Sequence, residues 1–155
     1  MYHREVAIAP EGATVDYTDA YMRQIEGLYA KVPEIDRAFV ATESAALLAG
    51  TQEFVAAVKE GDIEAARALY PTTRVHWERI EPVAESFADL DVAMDAREDD
   101  VEEGAAWTGW HFLEKALWID ESLDGTAGIA DQLLADTDEL VSRIATIEIT
   151  PSLLG

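Results

Sequence analysis

In the segment TGWHFLEKALW, His111 and Glu114 stand at positions i and i+3, a spacing that puts an imidazole and a carboxylate on the same side of one helical turn. Together they can chelate one cation. At roughly 100° per residue the pair lies at the edge of an apolar stripe, with Trp110, Leu113 and Leu117 on one arc and Trp118 near His111 on the next. A plain surface ion pair explains that spacing equally well, so its meaning rests on company. The segment RVHWERIEPVAES supplies it: Glu78, Glu81 and Glu85 fall within about 60° of one another, beside the face formed by Trp77, Ile80 and Ala84. An acidic strip there is ordinarily the solvent boundary. Yet like charges so close repel by a few tenths of a kcal/mol per exposed pair, and a cation bound across them removes that cost. If this strip faces His111 and Glu114 across a bundle, the donors are mostly oxygen with one nitrogen, a set suited to iron or manganese. The di-iron arrangement runs Glu-x-x-His and occurs twice, whereas this chain has a single His-x-x-Glu, so a ferritin-like oxidase is not implied.

The other candidates are weaker. His76 projects about 200° away from Glu78 and is not expected in the same site, and His3 lies in the N-terminal lead-in. Trp77, Trp107, Trp110 and Trp118 would suit a cation–π box, but aromatics at helical spacing read first as core. The sequence contains no HExxH, GxSxG, P-loop or dinucleotide fingerprint.

Composition narrows the field further. The 155 residues suffice for one core, and 49% hydrophobic with 28% charged residues is globular composition. Eleven basic residues against 32 acidic ones leave a net charge of −21, which speaks against nucleic acid or an anionic membrane surface as partner and for cations. Much of that charge is expected to be solvated surface. The lack of cysteine excludes thiolate zinc sites, iron–sulfur clusters, disulfides and cysteine nucleophiles. No run of apolar residues reaches the roughly 18–20 needed to span a bilayer, and MYHREVAIAPEG has no basic region followed by a long apolar stretch.

The elements that must position these residues read as helices. Residues 1–13 form an expected flexible lead-in, and a helical domain is expected over 14–155. Tyr17, Tyr21, Ile25 and Leu28 mark a first piece that Pro33 ends or interrupts, and the stripe from Ile35 to Val58 marks a second. Gly61 and Asp62 form a stop and restart, and Asp62 caps a helix that Pro71 breaks or kinks and that resumes by Thr73. Pro82 is expected to bend this last run, which carries Trp77, Ile80, Ala84 and Phe87 on one face. The acidic DLDVAMDAREDDVEEG shows no sustained period and reads as a long connection, ordered by packing or by metal. A short helix from Trp107 to about Glu121 and a final one through Ile129, Leu133, Leu140 and Ile144 complete the chain. The fold class is therefore all-α: an up-and-down four-helix bundle with an extra N-terminal helical segment.

The phrases VHWERIEPVAESFADLD, DAREDD and TGWHFLEKALW, in that order, resemble the imelysin-like domain of EfeO and EfeM, components of bacterial iron-uptake systems. The likeness runs from about Phe54 to Pro151 and is densest between Arg74 and Trp118. It implies an all-helical domain whose metal ligands are His111 and Glu114, Glu78 and Glu81 of ERIEP, and Asp95 of MDAR. It also implies iron as the bound metal, with zinc or another divalent cation as the substitute, and an extracytoplasmic or periplasmic setting. An iron permease and a haem-peroxidase companion are the partners it implies. Domains of this family continue beyond the point where this chain stops, so the chain is expected to be an N-terminal half, truncated at its C-terminus, and a second copy covering the exposed face would make a homodimer. The expected function is metal capture without turnover. An imelysin-type metallopeptidase and a metal-free helical interaction module are the alternatives.

Overall fold

The computed structural model describes the backbone of residues 18–147 and side chains from residue 37 to 147. The lead-in expected over 1–13, His3 included, lies outside the described residues. Five α-helices follow one another: α1 (Thr18–Glu60), α2 (Ile63–Ala84), α3 (Ala88–Asp95), α4 (Trp110–Trp118) and α5 (Ala127–Thr146), with a 3-10 turn at Glu98–Asp100. No strand occurs among the described residues, so the all-α class holds. Three helices are long and two short. α1 is the spine against which α2 and α5 both pack, while α3 and α4 bridge the space beside α2 and α5.

Local chemistry explains most boundaries. Asp62 accepts from the Ala65 N–H at 3.0 Å and so caps α2, satisfying one of the donors that a helix start leaves free. Gly61, at φ +75°, makes the turn that separates α1 from α2. Gly50 in α1 serves a different need. A Cβ there would lie 2.6 Å from Thr73 Oγ1, so the missing side chain lets α2 approach closely. The core between the long helices contains Leu47, Phe54, Trp77, Ile80, Leu133 and Leu140, all fully buried. Phe54, Tyr70 and Trp110 stack around one another with ring centroids 5.3–5.9 Å apart, a geometry favourable beyond simple area burial.

Four expectations are corrected. Pro33 does not end the first helix: α1 is continuous over 43 residues. Pro71 likewise lies inside α2. A proline removes one hydrogen bond and crowds the preceding turn, but Tyr70, Thr73 and Trp77 are buried on either side of Pro71, and their packing holds the helical path. α2 then ends at Ala84, just past Pro82, so Phe87 belongs to the following turn. The acidic connection, finally, begins with a helix. α3 buries Leu90 and Met94 at i and i+4, and Asp89 and Asp91 in its first turn complement the helix dipole.

A buried carboxylate braces α1 against α2. Glu43 is 8% exposed; its Oε2 accepts from His76 Nδ1 at 2.5 Å and its Oε1 from Arg79 Nη1 at 3.1 Å. The His76 bond holds the Glu43 carboxyl below its usual pKa against the opposing effect of burial, and Arg79 adds to the lowering. A depressed folded pKa contributes stability that is fully present above the ordinary carboxylate range and is lost as pH falls through the depressed value. Glu43→Gln is therefore expected to lower stability at pH 7 by about 1.5–3 kcal/mol. Urea melts at pH 7 and in acid check this, since the difference from wild type should shrink once Glu43 is protonated.

Candidate functional site

The site forms where the end of α3 meets the start of α4, over one face of α2. Its geometry depends on the loop between them. Thr108 Oγ1 donates to the Ala93 carbonyl at 2.7 Å and Trp107 Nε1 to the Ala96 carbonyl at 2.8 Å, so the chain entering α4 satisfies the carbonyls that α3 leaves open. Gly109 follows at φ +94°, and a Cβ there would lie 2.3 Å from the Met94 carbonyl oxygen. Only glycine fits at this contact. It sets the first turn of α4 directly on the last turn of α3, which brings His111 to Asp95.

His111 lies between two carboxylates. Its Nδ1 donates to Glu114 Oε2 at 2.8 Å, and its Nε2 lies 3.3 Å from Asp95 Oδ1. A neutral imidazole has one N–H. With that proton directed at Glu114, the Nε2 lone pair faces a carboxylate oxygen, and a cation between the two would convert repulsion into coordination.

Arg74 of α2 enters the same place. Its Nη1 donates to Asp95 Oδ1 at 2.5 Å and its Nε to Glu78 Oε1 at 2.8 Å, with the guanidinium 5.9 Å from the Trp77 ring centroid. The Arg74 and Asp95 side chains are 13% and 14% exposed. Burial pulls the guanidinium's pKa down, and the bond and charge of Asp95 more than reverse it, leaving it raised. Burial, then the Glu78 and Asp95 charges, push the Glu81 carboxyl above its usual range. Asp91 is pushed up in the same way by burial, then by Asp95 and Glu85. Tyr70 is raised by burial first and by Glu114 second, which places the aromatic core directly beneath the site.

All five residues expected as ligands thus gather in one acidic group: His111, Glu114 and Asp95 in direct contact, Glu78 through Arg74, and Glu81 beside Glu78 and Asp95. They do not form a ready cage. Among the described residues no three His, Asp or Glu side chains already surround a point as metal donors do. His76 is occupied by Glu43. The four tryptophans part company: Trp77 and Trp110 are core, while Trp107 and Trp118 line a cleft of about 590 Å³ that also exposes His111, Glu114, Arg97 and Lys115. Arg74 and Gly109 were not singled out by spacing. The Arg74–Glu78 pair at i and i+4 was a visible signal, but the Asp95 contact depends on the placement of α3.

The chain is thus an all-helical domain that gathers a histidine and several carboxylates around one partly buried guanidinium. The family model described as Imelysin, a peptidase M75 family, matches residues 37–152, and the chain belongs to the imelysin family. It is 55% identical over 91 residues to the iron uptake system component EfeM of Bacillus subtilis strain 168, an alignment covering 59% of this chain and 24% of that protein. It is 49% identical over 119 residues to the iron uptake system component EfeO of Escherichia coli strain K12, covering 75% of this chain and 32% of that one. The EfeO of Escherichia coli O157:H7 is 50% identical over the same length. The chain matches about a quarter to a third of the length of these relatives.

Gly109→Ala should uncouple the two sides of the site. At φ +94° and ψ −162° the backbone lies in a region essentially confined to glycine, which costs a side chain about 1–3 kcal/mol, and the overlap with Met94 adds to it. Thermal melting should show a loss beyond that range, and the amide signals of residues 93–96 and 108–112 should shift together in NMR spectra.

Proposed function

We propose that this chain captures a metal ion, iron foremost, as cargo of an iron-uptake system. The observation that carries the reading is the facing of His111 Nε2 and Asp95 Oδ1 at 3.3 Å inside a group of carboxylates. A hard divalent or trivalent ion suits oxygen donors with one imidazole, and zinc would compete by intrinsic affinity. His111 and Asp95 would make the central contacts. Glu114, which holds the His111 Nδ1 proton, fixes the tautomer that leaves Nε2 free, a common role for a carboxylate beside a metal-binding histidine, and it can reach the ion by turning its own side chain. Glu78 and Glu81 would supply further oxygens from α2.

The role is binding and release without chemical turnover. The names of the EfeM and EfeO relatives, iron uptake system components, support that reading, and an extracytoplasmic position beside an iron permease follows from it. No described helix is long and apolar enough to cross a membrane. The cleft lined by Trp107 and Trp118 gives the ion a path to His111 from solvent.

Calorimetric titration of the metal-stripped chain with ferrous iron under anaerobic conditions, and separately with zinc, tests the proposal. Binding at micromolar or tighter concentrations is expected, weakened at least tenfold by His111→Ala and by Asp95→Asn. It should also weaken as pH falls, because protons compete for the imidazole and the carboxylates. Equal binding by wild type and both variants would place the ion elsewhere and overturn the assignment.

A further inference from the structure

We propose that Arg74 is a built-in counter-ion that holds the place of the metal and competes with it for Asp95. The inference rests on the metal-capture reading and concerns what sets the affinity of that site.

Three observations converge on this guanidinium. It bonds two of the expected ligands at once, Asp95 through Nη1 and Glu78 through Nε, and so ties α2 to α3. It is the cationic side chain bonded within the acidic group among the described residues: Lys115 lies to the side, paired with Glu98, and Arg79 is paired with Glu43. And the oxygen it holds, Asp95 Oδ1, is the one that faces His111 Nε2. Metal–ligand distances to nitrogen and carboxylate oxygen are about 2.0–2.2 Å. An ion bound to both His111 and Asp95 would therefore share its carboxylate oxygen with the Arg74 guanidinium, two positive charges on one acceptor. Two cations held about 4 Å apart on one carboxylate oxygen repel each other by several kcal/mol at the effective dielectric of a partly buried site, so Arg74 and the metal compete for Asp95.

The exchange explains why the carboxylates are gathered without forming a cage. With no metal, the guanidinium neutralises Asp95 and Glu78 and relieves the repulsion felt by Glu81 and Asp91. With metal, the ion takes over that task. Arg74 remains attached to the site through Glu78, whose side chain is half exposed, and is positioned to reclaim Asp95. A carrier needs to release its cargo, and a tethered competing cation makes capture reversible without any large movement of helices. The planar fork is what permits one side chain to bridge both carboxylates; a lysine ammonium would act as a point charge at one of them.

The test compares wild type, R74Q and R74K, each metal-stripped, by titration with ferrous iron and zinc and by melting with and without zinc. R74Q is expected to bind at least tenfold more tightly than wild type, to melt lower without metal, and to gain more from zinc; R74K should fall between. In wild type, side-chain NMR should show the Arg74 Nε–H signal moving as zinc is added, in step with the His111 ring signals. Wild-type binding with R74Q no tighter, or an Arg74 signal unmoved at saturating zinc, overturns the exchange while leaving the metal site standing. Binding by R74Q alone supports it. No binding by any of the three proteins overturns the metal reading itself and the exchange with it. Should R74Q fail to fold, the wild-type Arg74 signal and R74K decide.

Discussion

Carboxylates packed against the apolar face of a helical core require positive charge among them. Here Glu78 and Glu81 on α2 and Asp91 and Asp95 on α3 lie close enough that burial and mutual charge raise the pKa of Glu81 and Asp91. The Arg74 guanidinium is the group that makes this arrangement tolerable. Breaking a partly buried pair by removing one partner leaves an uncompensated charge, which costs far more than the intact pair contributes. In this structure the cation at the centre of the group is the Arg74 guanidinium. In a chain of net charge −21, such a position differs from the solvated acidic surface by its depth, with Asp95 and His111 14% and 16% exposed.

That arrangement depends on a short stretch of backbone. α3 and α4 are eight and nine residues long, too short to be stable alone, and each is held from both ends. The Trp107 and Thr108 side chains close the end of α3, and Gly109 seats α4 against it. At the other end of α4, Arg67 of α2 donates through Nε and Nη2 to the Leu117 carbonyl at 3.0 and 2.6 Å, satisfying part of that helix's open C-terminus. Beneath, Trp110 packs on Phe54 and Tyr70. His111 therefore sits one residue from a core anchor and two from a close backbone contact. A ligand held so tightly can be offered to a cation with little loss of side-chain freedom, which is how a scaffold pre-organises a site.

How much of this was legible in the sequence follows from the range of each interaction. The long helices repeat their apolar positions over several turns, so α5 and the Trp77, Ile80 and Ala84 face of α2 could be read directly, and the family phrases marked the five candidate ligands. Prolines misled, because the rule that a proline breaks a helix is local while the burial of Tyr70, Thr73 and Trp77 around Pro71 is tertiary. α3 was hidden because two buried residues, Leu90 and Met94, are too few to establish a period within an acidic stretch. Arg74 was visible only as half of an i, i+4 pair with Glu78, since its second partner lies 21 residues away. Gly109 was printed inside the quoted motif, yet its necessity is a backbone contact with Met94 that no spacing rule contains.

The division between core and site bears directly on the proposed reversible capture of a metal ion. Fully buried residues such as Trp77, Ile80 and Leu117 fix the helices beneath the site. The polar group above them can then exchange partners by side-chain motion: Glu114 and Glu78 are each about half exposed and free to turn, while Asp95 and His111 stay fixed. A site with every ligand buried and preset would bind more tightly and release more slowly. One with all of them exposed would compete poorly with water. Under the proposed metal capture, two fixed donors, movable carboxylates and a tethered guanidinium would lie between these limits, where capture from solvent and transfer onward are both attainable.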